Sequence, residues 1–317
     1  MSSTSITEQD TRPQCSSLEI AIFNATSALL AYAAGADRLE LCAEGSFSHG
    51  GTTPSLSTLK NVISSLQQAQ GDTTNNYKKS IPIYAMIRPR GGDFVYATED
   101  FNLMKEQLLA LKNASYNDEQ PPNDQHDGIF NNISFSKVNG FVFGILTEDG
   151  RVDRARNEDL VRLAAPLPCT FHRAFDEVIT SIEQHRSTMT SNSSDGGAGS
   201  VSSSNNHKEI LLHDGLANEL EAVIEAGFAS ILTSGGTGKS ALEGAQQINA
   251  LTTAADGRIA IIAGGGVRSS NIAELQSKSP GTPFFHSSAI VGNDGDSDVA
   301  SQHEVKALKR ELVLSRR

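Results

Sequence analysis

Eight short apolar runs, each followed by a helix-prone stretch, limit what this chain can fold into more than any other feature. The runs lie at 18–23, 38–42, 81–88, 140–146, 168–174, 230–234, 259–264 and 283–290. Helical stretches are expected at 25–34, 55–69, 99–112, 154–165, 218–226, 241–251, 269–276 and 304–313. The third run, Ile81 to Ile87, is apolar at nearly every position and lacks the alternation of a strand with one wet face. Strands of that kind are covered on both sides and belong to parallel sheets. Eight strand–helix pairs in strict alternation predict the α/β class and a single-domain (β/α)8 TIM barrel. A doubly wound open sheet is the other arrangement of the same elements. Both place function at the carboxyl ends of the strands.

Three segments fit no element: 71–80, 113–137 and 185–207. All are rich in Ser, Asn, Gly and Asp and too polar to bury themselves, so they are expected to be flexible insertions on the surface. Residues 1–17 are polar and read as a disordered tail, leaving 18–317 as the barrel domain. Without tail and insertions roughly 240 residues remain, close to the size of one barrel. The 317 residues carry a formal charge of -11, which argues against a nucleic-acid or anionic-membrane partner. No apolar run is long enough to span a bilayer, and the tail lacks the core of a signal peptide. A cytoplasmic home is therefore expected, with the nucleus as the other option. Three cysteines, an odd count, form no disulfide framework and are expected to be reduced.

Polar residues gather where the strands end. Arg88 and Arg90 bracket Pro89 and precede two glycines. Glu40 and Cys42 close the second run, His172, Arg173 and Asp176 the fifth, Ser234 the sixth, Gly264, Gly265 and Gly266 the seventh, and His286, Ser287 and Ser288 the eighth. Pleating puts Glu40 with Cys42 on one face and His286 with Ser288 on another; with His172 pointing inward, Thr170 does too and Cys169 faces the helices. Arg88, Arg90, Arg173, Ser234, Ser287 and the three glycines ahead of a helix at 269 suit an anion. The bland alternatives are arginines that pair with rim carboxylates and glycines that only permit close packing. Glu40 and His172 are candidates for proton transfer, with Asp176 to orient the histidine. Cys42 is a soft-metal ligand or a small buried hydrophobe. Residues 235–240 (GGTGKS) imitate a P-loop but lack the first glycine, since Thr233 stands there, and the dinucleotide pattern at Gly236, Gly238 and Ala241 lacks its acidic partner.

Taken together, GADRLELC (35–42), GGTTPS (50–55), IRPRGGDFVY (87–96), FGILTEDGRVD (143–153), TFHRAFD (170–176), ILTSGG (231–236), AGGGV (263–267) and FHSSA (285–289) resemble the CutC family of copper homeostasis proteins. The resemblance implies a TIM-barrel, cytoplasmic, often homo-oligomeric protein that binds copper as Cu(I). The family pattern often has a cysteine in the first strand, as in LEIC, which the resemblance implies would hold Cu(I) together with the cysteine of ELC. Here Ala21 stands at that position and only Cys42 is retained. Two functions follow for test. One is Cu(I) binding at Cys42 with help from His172 or His49. The other is an enzyme acting on a small anionic, perhaps phosphorylated, molecule through the arginines, Glu40 and His172.

Overall fold

The computed structural model describes residues 16–71, 80–114, 138–191, 212, 214–292 and 298–314. Eight parallel strands close into a barrel in sequence order: β1 (Ser17–Ile22), β2 (Arg38–Leu41), β3 (Ile83–Met86), β4 (Gly140–Phe143), β5 (Cys169–Phe171), β6 (Ser230–Thr233), β7 (Ala260–Gly264) and β8 (Phe284–Ser287). Around them lie the helices α1 (Ala25–Ala33), α2 (Leu56–Gly71), α3 (Thr98–Asn113), α4 (Arg154–Ala164), α5 (Ala174–Ser191), α6 (Asp214–Glu225), α7 (Ala245–Ala255), α8 (Ile272–Lys278) and α9 (Gln302–Leu314). The eightfold alternation was thus legible, and the open sheet is excluded by β1 pairing with β8. None of the described helices is long and apolar enough to cross a membrane.

The strands are short because their last residues leave the ladder to line the mouth. In β1, Leu18, Ile20 and Ile22 face the helices and are fully buried, whereas Glu19 and Ala21 face the interior. The same two-residue period runs round the barrel, and Cys169 packs with the outer core as the pleat requires. Local caps set the helix starts: Asn24 Oδ1 accepts the Ser27 N–H, and Asp153 Oδ1 accepts that of Arg156.

Helix α5 begins directly after β5, where no helix was expected. Its Phe175, Val178, Ile179 and Ile182 follow helical spacing and are all buried. The polar stretch at 185–207 therefore starts inside a helix. The expected tail also ends earlier, because Ser17 N–H bonds the Pro283 carbonyl and Ser16 Oγ bonds that of Thr282 at the β1–β8 seam. The rest of the tail and most of the insertions at 71–80, 113–137 and 185–207 lie outside the described residues.

Polar side chains fill much of the barrel interior. At its amino-terminal end the Arg38 guanidinium is sandwiched between the rings of Tyr84 and Phe284, 4.4 and 4.3 Å from their centroids. It ion-pairs with Glu19, and above it Thr170 and Ser230 share a hydrogen bond of 2.7 Å.

Candidate functional site at the barrel mouth

A cavity of about 420 Å³ opens at the carboxyl ends of the strands. It gathers Glu40, Cys42, Arg88, His172, Arg173, Asp176, Gly265, Gly266 and Ser287 from the expected set, together with Ala21, His49 and Met86. Arg90, Ser234 and Gly264 do not line it.

Arg88 is buried, and its hydrogen bonds go to carbonyls: Nη1 to His49 (2.6 Å) and Gly51 (3.2 Å), Nη2 to Gly92 (2.7 Å). The guanidinium lies 4.7 Å from the Phe94 ring centroid. A buried cation bonded to carbonyls leaves its charge available to an anion. Arg90 has the opposite fate. Asp100 at 3.0 Å, Asp93 at 3.0 Å and the Val95 carbonyl hold it at the rim, the bland outcome.

His172 sits against Gly144, where a Cβ would come within 2.8 Å of its Nδ1, and its ring meets the Phe94 ring at 4.7 Å. Nδ1 accepts the Ala174 N–H at 3.3 Å, so the ring hydrogen resides on Nε2, which is buried and unpartnered. Burial, then the charge of Arg88, drives the imidazole down to about 3. At neutral pH the ring is therefore neutral with its hydrogen on Nε2, a state that does not suit the expected role in proton transfer. Asp176 does not orient it. Its oxygens accept from Thr233 Oγ1 (2.6 Å), the Ser234 N–H (2.8 Å), Ser234 Oγ (2.8 Å) and Arg173 Nε (2.8 Å), which ties α5 to the end of β6. That network also consumes Ser234.

Glu40 is buried with Oε2 unpartnered, while Oε1 accepts the Cys42 thiol at 3.7 Å. Burial raises its carboxyl, His286 opposes this, and Glu19 adds to the rise. Burial and then Glu40 push the Cys42 thiol far above its ordinary range. Glu19, Glu40 and His286 bring ligand atoms within 4.8 Å of one another. Glu19, however, is already bound to Arg38 and to His286 Nδ1 at 2.7 Å. Burial pushes Glu19 up, but Arg38 and His286 outweigh it and hold the carboxyl at about 2.

The glycine loop departs from expectation. Gly265 and Gly266 take positive φ, 110° and 67°, and a Cβ at Gly265 would meet that of Ser234 at 2.9 Å. Helix α8 begins only at Ile272 and is a short one, so it supplies no anion site. Arg268 enters the cavity instead, braced by the Val267 carbonyl (2.9 Å) and Ser287 Oγ (3.2 Å). Ser287 in turn donates to the Val267 carbonyl at 2.7 Å, so its hydroxyl secures the loop. Arg268 was missed, although it follows the glycine run by two residues. Glu19 was missed too, and a carboxylate inside an apolar strand is a signal in its own right.

Donors, cations and a buried carboxyl thus gather at one mouth of a closed (β/α)8 barrel, the end at which proteins of this class carry their sites. The sequence profile of the CutC family matches residues 16–118, 129–188 and 210–291. Human copper homeostasis protein cutC homolog is 33% identical over 278 residues, covering 88% of this chain and 75% of its own. The Dictyostelium discoideum homolog of the same name is 31% identical, covering 91% and 85%. The crystal structure of CutC from Streptococcus agalactiae superposes with a TM-score of 0.60 at 24% identity, over 86% of this chain and 97% of that one. The chain belongs to the CutC family.

Proposed function

We propose that this chain serves copper homeostasis, the role for which its curated relatives are named, through a barrel mouth that binds a small anionic molecule. The observation that carries the anion reading is a pair of buried polar atoms without partners on residues that line one cavity, His172 Nε2 and Glu40 Oε2. Such atoms are costly unless a ligand satisfies them. Arg88, Arg173 and Arg268 contribute positive charge to the same cavity. A thermal-shift screen of inorganic phosphate, sugar phosphates and small carboxylates tests the reading. A rise in Tm with at least one of them, diminished in Arg173→Gln, is expected, and no rise with any anion removes it.

The second reading is Cu(I) carried as cargo in the cytoplasm. It is favoured by the relatives' names and by Cys42 and Met86, two sulfur side chains lining one cavity. The donor set fits a thiolate cage poorly. Ala21 replaces the second thiol, Cys169 faces the helices, and Nε2 of His172 carries a hydrogen where a metal needs a lone pair. A chelator competition for Cu(I) with wild type and Cys42→Ala separates the readings: equal weak affinities dismiss Cys42 as the metal's ligand.

A further inference from the structure

Resting on the anion-binding reading above, we infer that the ligand is an anionic α-hydroxycarbonyl compound and that the mouth catalyses proton transfer next to its carbonyl. The groups needed for that chemistry line one cavity, and two of them, His172 and Glu40, keep a buried polar atom without a partner.

His172 supplies a fixed N–H. Its ring is held between Gly144 and Phe94, and the Ala174 N–H on Nδ1 leaves Nε2 as a donor. A neutral donor in a buried site suits a carbonyl oxygen that gains charge during reaction. Glu40 offers the complementary group: a buried carboxyl whose Oε2 has no partner and which no arginine binds directly, since Arg38 is committed to Glu19. Positive charge comes from three strands. Arg88 follows β3, Arg173 follows β5, and Arg268 follows β7 beside Gly265 and Gly266. An anionic tail near Arg173 and Arg268 would leave the reacting carbons to Glu40 and His172.

The step balances without a co-reactant. Glu40 as carboxylate takes the proton from the hydroxyl-bearing carbon. The C–H electron pair forms the C=C bond, and the carbonyl π pair moves onto oxygen, met by His172 N–H and the charge of Arg88. The hydroxyl proton passes to that oxygen. Protonated Glu40 then returns its proton to the former carbonyl carbon, giving the isomeric carbonyl and restoring the carboxylate.

The test is proton exchange in D2O followed by NMR, with dihydroxyacetone phosphate as the phosphate probe and hydroxypyruvate as the carboxylate probe. Thermal shift is measured with the same two compounds. Wild type is expected to wash deuterium into the hydroxyl-bearing CH2 of one of them, and the responding probe identifies the anionic group. Glu40→Gln should slow exchange by about 10²–10⁴-fold, and His172→Gln by about 10²–10³-fold. Glu40→Asp, which keeps the charge and shortens the reach, serves as the second variant if Glu40→Gln does not fold. A Tm rise without exchange overturns this inference and leaves anion binding standing. Neither a Tm rise nor exchange overturns this inference, and the wider anion screen then decides the binding reading. Equal exchange by wild type and both Glu40 variants overturns the assignment of the base.

Discussion

His286 Nδ1 lies 2.7 Å from Glu19 Oε1, joining the last strand of the barrel to the first beneath its mouth. The same carboxylate holds Arg38, so one acidic side chain anchors a partner on each of the two strands that flank β1. Burial alone would push His286 down, but Glu40 and Glu19 hold it above its ordinary value. Removing Glu19 strands a buried guanidinium whose Nη2 already lacks a partner. Glu19→Ala is expected to cost about 3–5 kcal/mol of stability, read from urea unfolding. A loss within the range of a surface substitution would show that the barrel seam does not depend on this pair.

His172 makes the protein acid-sensitive in a defined window. Its folded value lies near 3 against 6.5 unfolded, so the unfolded chain binds the proton first as pH falls. The stability tied to the neutral ring is complete above 6.5 and is lost as pH drops toward 3. The slope reaches at most about 1.4 kcal/mol per pH unit. Glu19, held near 2, adds its own loss only below 4.5, and raised His286 acts on the alkaline side of 6.5. Between pH 6.5 and 4.5, His172→Gln should therefore flatten the stability curve relative to wild type. Parallel curves would contradict the buried neutral ring.

Neither Cys42 nor Cys169 should react with an aromatic disulfide reagent in the folded state at pH 8. Both thiols are buried, and burial lifts Cys169 to about 12 and Cys42 well above its ordinary range. In Cys15→Ser, thiol release should wait for denaturant. Rapid release from the native variant would show that one of the two is open to solvent.

Gly144→Ala tests the packing that fixes His172. The new methyl would meet Nδ1 at 2.8 Å and Phe171 Cε1 at 3.1 Å. Overpacking of this kind costs about 1–3 kcal/mol. Ligand-induced Tm shifts should shrink more than those of an equally destabilised variant elsewhere, because the ring is displaced. Unchanged shifts would mean that His172 does not touch the ligand.

The barrel was legible because eight apolar runs have few ways to bury themselves, and strand parity then placed Cys42, His172 and Cys169 correctly. What the sequence could not convey was how each polar group would be used. Arg88 and Arg90 share one motif, yet the first turns into the mouth and the second is captured by Asp93 and Asp100. The protonation of His172 depends on the Ala174 N–H, which reaches it only because α5 starts immediately after β5. That helix carries Asp176 and Glu177 in its first turn, where acidic groups are favourable.

The sandwich of Arg38 between Tyr84 and Phe284 has a consequence for traffic. It stoppers the barrel like the base of a flask, so whatever is taken up must depart by the way it came. On the proposed anion-binding reading, a bound molecule would have to leave before another could enter.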